Sequence, residues 1–489
     1  MLAQKNPPYE KGDFMKEIKV DICVIGAGSG GLSLAAGASQ MGASVALIEK
    51  GKMGGDCLNT GCVPSKALLA AAKCADVFRH ADQFGIQSIT PEVNFKEVHD
   101  HVQGVIEGIA PNDSVERFES LGVKVIKATA SFKDKKTIIA GDYEIKARRF
   151  VIATGSRAAA PPILGLDQVD YLTNENIFEL TTLPKHLIII GGGPIGCEMA
   201  QAHRLLGSEV TLVELSHILP KDDPEPVNII RQKLINTGIT LYESIRVDKV
   251  EQEKDEVLVT IRRHGDTIKI SGSHLLIAAG RKPNTEELNL ENANIAFTPK
   301  GISVDERLRS TSNKKVFAIG DVAGSYQFTH AANYHAGIVI RNILFAMPAK
   351  VNYSALPWVT YVEPELAHVG LTEADAKAKN LTYKVLHWSF KENDRARTEH
   401  TTTGQIRVIV NKKGFVLGCN IVGEHAGELI LPWCLAIQEK LKISSMANVI
   451  APYPTLSEVS KRAAGSYYTE TLFSKKTKWL VRFIQKWFP

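Results

Sequence analysis

Cysteine is scarce in this chain: seven in 489 residues, and the number is odd. A secreted scaffold stapled by disulfides would need a denser, paired set, so a reducing, cytoplasmic setting is expected. Long apolar runs are missing as well. Nothing approaches the ~18 consecutive apolar residues of a membrane-spanning helix. The opening MLAQKNPPYEKGDF lacks the apolar stretch of a secretory signal. An excess of one charge is also missing. The 58 Lys and Arg face 53 Asp and Glu, which gives no basic footprint for nucleic acid. What is left, 44% hydrophobic and 23% charged, fits a soluble globular protein. Its length suits two to four domains.

Against that scarcity, two cysteines stand five positions apart in GGDCLNTGCVPSK, Gly54 to Lys66. In a reducing compartment such a pair is redox-active or metal-binding more often than structural. A zinc site would need two further ligands at suitable spacing, and none is nearby. Pro64 and Ser65 open SKALLAAAKCADVF, a good helix former, so Cys57 and Cys62 lie at or just before a helix N-terminus. That position, with a nearby cation, can lower a thiol pKa from ~8.5 into about 3.5–7.5. On residues alone, redox couple, staple and metal ligand all stay open. Cys23, Cys74, Cys197, Cys419 and Cys434 are scattered in apolar contexts and read as buried, inert thiols.

Glycine is arranged rather than scattered. The apolar run Val20–Ile25 leads into Gly26-x-Gly28-x-x-Gly31, a helix of small residues, and a second apolar run ending at Glu49. Leu187–Ile190 leads likewise into Gly191, Gly193 and Gly196, and the next strand ends at Glu214. In this dinucleotide-binding pattern the first Gly makes the tight turn. The second admits the pyrophosphate, the third packs helix on strand, and the acid takes a ribose hydroxyl. Two complete copies predict an α/β protein with two Rossmann-like dinucleotide-binding domains. Glu214 would repel the extra phosphate of NADP, and LSH after it holds no Arg or Lys, so NAD(H) is expected there. FVIATGSR with Gly155, LLIAAGRKPN with Gly280, and FAIGD with Asp321 read as further strand ends facing ligand crevices.

Together these motifs resemble the FAD-dependent pyridine nucleotide–disulfide oxidoreductases, which include dihydrolipoamide dehydrogenase, glutathione reductase and mercuric reductase. The resemblance runs from about Lys19 to about Ala464. It implies FAD on the first unit, at Gly26, Gly28, Gly31, Glu49, Lys50, Gly55, Lys66 and Gly155. Asp321 would hold the ribityl chain, and backbone near Ala331, at a helix start, the flavin edge. It implies NAD(H) on the second unit, at Gly191, Gly193, Gly196, Glu198, Glu214 and Gly280. A C-terminal α+β dimerisation domain would pair two subunits. The implied domains are FAD-binding 18–165 and 285–352, NAD(P)-binding 166–284 and dimerisation 353–466. A flexible arm, 1–17, would precede them, and a basic amphipathic tail, 467–489, would follow.

The same resemblance makes Cys57 and Cys62 a redox couple. Cys62 would face the flavin, Cys57 would exchange with substrate, and Lys66 would pair with Glu198. No resident metal is implied, although Cys57 and Cys62 would transiently ligate a metal substrate. His330 and His335 are expected to be structural.

One departure bears on the substrate. Dihydrolipoamide dehydrogenases and glutathione reductases place His before the Pro of PTLSE. Here the residue is Tyr453, while Glu458 is kept. A His near pKa 6.5 shuttles protons at pH 7, whereas a Tyr near pKa 10 stays protonated. Pro452, Tyr453, Thr455 and Glu458 resemble mercuric reductases more closely, although the chain carries no cysteine after Cys434 and no N-terminal Cys-x-x-Cys. The expected activity runs from NADH through FAD and the dithiol to an acceptor, at a cleft completed by Tyr453 and Glu458 of a second subunit. A thiophilic metal ion is the favoured acceptor. A small disulfide, a quinone, or a non-catalytic membrane-associated sensor are the alternatives. In the tail, Trp479, Leu480, Phe483, Ile484 and Trp487 form one helical face, with Lys475, Lys478, Arg482 and Lys486 on the other. Such a helix either docks on its own body or the partner subunit, or lies peripherally on the inner membrane surface.

Overall fold

The computed structural model describes residues 15–263 and 265–488. It divides into two compact units. The first holds the described residues up to Val63, then Ile106–Arg157 and Arg281–Val351. The second holds Pro64–Val105, Ala158–Gly280 and the chain from Asn352 onward. These limits differ from the expected domains. The chain leaves the first unit after Arg157 rather than after 165, re-enters it at Arg281 rather than at 285 and leaves it at Asn352 rather than at 353, and residues 64–105 group with the second unit. The physical reason for the last difference lies in long-range contacts. Lys73 pairs with Glu363 and Glu424, Phe95 packs on His203, and Gln103 donates to the Phe178 carbonyl.

In the first unit, β1 (Lys16–Ile25) leads through the glycine loop into α1 (Ser29–Gln40) and β2 (Val45–Glu49). β1 starts earlier than the apolar run because Lys16 and Glu17 pair in register with Tyr143 and Glu144. The expected flexible arm therefore loses its last residues to a strand, and residues 1–14 lie outside the described residues. Next come α2 (Gly55–Asn59) and α3 (Cys62–Arg79). The strands β3 (Val123–Lys127), β4 (Ala130–Asp134), β5 (Thr137–Ala140) and β6 (Tyr143–Ile152) follow. The sheet order is β3-β2-β1-β6-β5-β4, parallel from β3 to β6 and antiparallel beyond. Cys23 and Ile25 face a cluster with Phe132 and Phe150, while Ile22 and Val24 face one with Leu34 and Leu47. A strand buried on both faces reads as an unbroken apolar run.

The second unit repeats the scheme with β7 (His186–Ile190), α4 (Pro194–Leu206), β8 (Glu209–Val213), β9 (Thr240–Tyr242) and β10 (His274–Ile277). All four strands are parallel, in the order β9-β8-β7-β10. Back in the first unit, β11 (Val316–Ala318) pairs in parallel with β6, and α5 (Thr329–Leu344) follows. In both sheets the GxGxxG loop leaves the central strand at its carboxyl end, where strand order reverses and ligands bind.

The C-terminal part of the second unit is α+β. Five antiparallel strands, β12 (Pro357–Thr360), β13 (Glu365–Gly370), β14 (Tyr383–Ser389), β15 (Gln405–Asn411) and β16 (Val416–Gly423), run in the order β12-β13-β16-β15-β14. Helix α6 (Glu458–Leu472) packs on them through Val459, Ala463 and Ala464. Helix α7 (Lys475–Trp487) is started by Ser474, whose hydroxyl accepts from Thr477 N, and none of its residues is buried. Among the described residues no helix is long and apolar enough to cross a membrane.

Cys23, Cys197, Cys419 and Cys434 are buried, and burial pushes each thiol up, Cys434 to about 11. Cys74 departs from the expectation: it is exposed on α3, on the side turned away from the buried Ala72 and Ala75. His203, His335 and His368 are buried, and burial lowers each to about 4. An unfolded histidine titrates near 6.5. Between these values the unfolded chain binds more protons, so stability is lost as pH falls from about 6.5 to about 4. The apparent Tm in a calorimetric pH series is expected to drop through that window; a flat profile there contradicts the neutral assignment.

Candidate active site

The cysteine loop is stitched to the first glycine loop. Gly54 N donates to the Ala27 carbonyl at 2.9 Å, and Gly28 and Gly54 form a parallel bridge. Within the loop, Asn59 Nδ2 donates to the carbonyls of Met53 and Gly55 at 2.9 and 2.8 Å. Cys57 sits in α2, and Cys62 is the first residue of α3. Both carry thiols rather than sharing a disulfide, and Cys57 is hydrogen-bonded to Cys62. That bond, then burial, raises Cys57 far above the ordinary thiol range. The Cys62 Sγ lies 3.3 Å from Thr329 Oγ1, the first residue of α5, so a helix start is aimed at the pair. A helix N-terminus favours negative charge. Thr329 was not expected from the sequence, although it stands two residues before Ala331, which is buried on the same helix.

Lys66, one turn along α3, places Nζ 2.7 Å from Glu198 Oε2, as expected. Glu198 is buried on α4, and its other oxygen accepts from Tyr361 N at 3.0 Å. The Lys66 ammonium also lies over the Tyr361 ring, 4.4 Å from its centroid. A largely desolvated carboxylate is held here by a cation and a backbone donor, the condition for an ion pair to persist away from water.

Asp321 follows β11 in a tight turn. Ser156 Oγ donates to it at 2.5 Å, and Arg281 Nε lies 3.8 Å away. Burial raises its carboxyl above the usual value. Arg281 also donates to Ser156 Oγ at 2.8 Å and to Asp56 at 3.0 Å, which ties the residue next to Cys57 to the Asp321 turn. His335 is structural, as expected: Gly320 N donates to its Nδ1 at 3.0 Å, so the buried ring braces the turn from below.

The two dinucleotide loops are wired alike. Gly26 has φ +103°, and a Cβ on it would stand 2.5 Å from the Ala153 oxygen; one on Gly31 would stand 1.9 Å from the Gly26 oxygen. Gly191 has φ +115°, with the same clash at Ala278, and a Cβ on Gly196 would meet the Gly191 oxygen at 1.8 Å. Glu49 accepts from Ala27 N and Gly51 N, both at 2.6 Å. Glu214 accepts from Gly192 N at 2.6 Å and Ser216 N at 2.8 Å. Helices α1 and α4 have Gly28 and Gly193 as their N-caps, and neither start has a side-chain cap. The N–H groups of each first turn, apart from Pro194, which has none, are thus presented to an anion. This cradle, glycine where any side chain would clash and an acid beside it, fits a ribose and a pyrophosphate in each unit.

Of the other expected contacts, Gly55 abuts Gly28, where a Cβ would lie 2.7 Å from its Cα. Gly155 and Gly280 have positive φ with open space around them. The ammonium of Lys50 is engaged by Glu287, a partner the sequence did not suggest.

Tyr453 is exposed in the C-terminal part of the second unit, and its hydroxyl donates to Asp394 at 3.2 Å. The Asp394 charge and that bond, then the charge of Glu458, push the phenol above its ordinary pKa. Glu458 opens α6, 4.0 Å from Arg462. Asp394 is a further residue that the sequence did not reveal.

A family profile described as "Pyridine nucleotide-disulphide oxidoreductase" matches residues 20–336, and the dimerisation domain of the same family matches residues 356–464. The mercuric reductase of Staphylococcus aureus is 36% identical over 94% of this chain and 85% of its own length. The dihydrolipoyl dehydrogenase of Geobacillus stearothermophilus is 33% identical over 93% and 97%. Among solved structures, the Cu(II) complex of the HOCl-induced flavoprotein disulfide reductase RclA from Escherichia coli superposes with a TM-score of 0.83. It is 27% identical and covers 92% of this chain and 99% of that one. The chain belongs to the pyridine nucleotide–disulphide oxidoreductase family, whose members use FAD and NAD(P)H.

Proposed function

We propose that the protein is an NADH-dependent flavoprotein reductase whose Cys57–Cys62 couple hands electrons to a thiophilic metal ion. The observation that carries the choice of acceptor is the state of Tyr453. Its phenol is held protonated by Asp394 and Glu458, so it donates a hydrogen bond but cannot take up a thiol proton at pH 7. Disulfide exchange needs such a base. Capture of a metal ion does not, because a bound cation itself drives thiol deprotonation. Similarity to the mercuric reductase of S. aureus supports this reading, as does similarity to RclA, a flavoprotein disulfide reductase solved as a Cu(II) complex.

In this reading FAD is held by residues 18–165 and 285–352, NAD by 166–284, and 353–466 pair two subunits. When bound, FAD would supply the two-electron redox chemistry that links the nicotinamide to the disulfide. Two electrons and one proton convert the disulfide to a Cys57 thiol and a Cys62 thiolate, and the hydrogen bond between them keeps the proton on Cys57. Thr329 and the start of α5 stabilise the Cys62 charge. Lys66, anchored by Glu198, would supply the balancing positive charge. For a divalent ion reduced to the element, one NADH and one M²⁺ give NAD⁺, H⁺ and M⁰. A cytoplasmic location, with the tail as the part able to touch the inner membrane surface, belongs to the same reading.

The test is anaerobic NADH oxidation by the FAD-loaded enzyme, with Hg(II) buffered by excess thiol, Cu(II), lipoamide and a soluble quinone as separate acceptors. Turnover with a metal ion at least about tenfold above lipoamide is expected. The reverse order overturns the reading in favour of a small-disulfide reductase, and turnover with quinone alone points to the flavin as the reducing site. With the best acceptor, kcat/KM for NADH should exceed that for NADPH by about tenfold or more, and Glu214→Ala should narrow the gap.

A further inference from the structure

We propose that α7 is a peripheral anchor that lays its aromatic face on an anionic lipid surface. The segment from Thr471 to Pro489 holds five cations, Lys475, Lys476, Lys478, Arg482 and Lys486, and no acid. Trp479, Phe483 and Trp487 recur at four-residue spacing, with successive ring centroids 5.6 and 6.3 Å apart. Leu480 and Ile484 flank that row. Lys478 falls on the opposite side, and Arg482 and Lys486 fall along one edge of the aromatic row. Lys476 lies at the aromatic side of the first turn, where its stem can lie along apolar surface with its ammonium at the headgroups.

Among the described residues none buries this face. Trp479 and Trp487 are 65% and 63% exposed, and Leu472 and Phe473, just before the helix, are exposed too. The alternative expectation, a helix docked on its own subunit, is not what the structure shows. With 13 residues α7 is too short to span a bilayer. A short basic helix with an aromatic face instead lies in the interface plane.

Charge decides the occupant. A second copy of α7 would bring the same cations against these, with no acid in either segment to pair them. An anionic bilayer offers both complements at once: apolar depth for Trp and Phe, and negative headgroups for Lys and Arg. The family match ends at residue 464, so the anchor is an addition to the shared fold. A homodimer, which the dimerisation-domain match supports, would present two such helices, and binding of the first makes the second intramolecular.

The experiment is co-sedimentation of the FAD-loaded full-length protein with vesicles of phosphatidylcholine alone, or with a quarter of phosphatidylglycerol. Binding to the anionic vesicles and little to the neutral ones is expected, falling as salt is raised. The triple variant Trp479→Ala/Phe483→Ala/Trp487→Ala should bind at least about tenfold more weakly. So should Lys478→Glu/Arg482→Glu/Lys486→Glu, while NADH turnover and FAD content stay at wild-type values for both and certify folding. Failure of the wild type to bind anionic vesicles overturns the proposal, and so does equal binding by both variants. A change of oligomeric state in the variants overturns it in favour of a subunit contact.

Discussion

Cys62→Ser removes NADH-driven reduction of metal ions and of disulfides, with a fall in kcat of at least about a thousandfold, as expected when the group that carries the covalent step is lost. The nucleotide cradles do not touch this residue, so FAD content and NADH affinity should stay near wild type. Cys57→Ser should cost as much in metal-ion turnover but act differently on the remaining thiol. In the wild type the proton of the reduced pair rests on Cys57, because its hydrogen bond to Cys62 raises it first and burial raises it further. Removing Cys62 takes away the larger cause, so Cys57 should be alkylated at lower pH than in the reduced wild type. Removing Cys57 leaves Cys62 beside Thr329 and the start of α5. Mass-spectrometric counting of alkylated thiols after NADH reads this directly: the wild type gains one disulfide's worth of thiol and each variant gains none. Persistent full turnover in Cys62→Ser would mean that the pair is not on the electron path.

What the sequence reveals and what it hides divide along chain distance. The two glycine loops are legible because every part of the rule is local: strand, turn, helix and terminal acid within about 30 residues. The buried cysteines 23, 197, 419 and 434 follow from apolar neighbours, whereas the phase of α3 that exposes Cys74 does not. Lys66 with Glu198 was expected only through family resemblance. The Cys62–Thr329 contact joins residues 267 positions apart, and Arg281–Asp56 joins residues 225 apart. No periodicity or composition signals such pairs, since each depends on which strand ends the sheet order brings together. The grouping of residues 64–105 with the second unit was hidden for the same reason. The amphipathic character of α7 was plain in its spacing; whether anything covers it was not, because that depends on the surface beside it.

Tyr453→His is the variant expected to change the chemistry rather than abolish it. Thiol–disulfide exchange is carried by the thiolate, and the reduced Cys57 of this protein keeps its proton to unusually high pH. Attack on lipoamide therefore needs a base, and the wild type offers a phenol that Asp394 and Glu458 hold protonated. An imidazole placed between the same two acids would be raised somewhat by their charges, yet would still titrate near neutrality. Since general acid–base catalysis is worth about 10²–10⁴-fold, lipoamide reduction should rise by at least about tenfold. The gain should appear as pH increases through the imidazole pKa, because only the neutral ring accepts the proton. Metal-ion turnover should not rise with it, since the cation already drives deprotonation of the Cys57 thiol. Tyr453→Phe separates the hydroxyl from the ring: a fall of a few-fold in metal turnover would assign the phenol a hydrogen-bonding part, and no change would leave it a packing group. An unchanged lipoamide rate in Tyr453→His would show that the proton is handled elsewhere, and the choice of acceptor could then no longer rest on this residue.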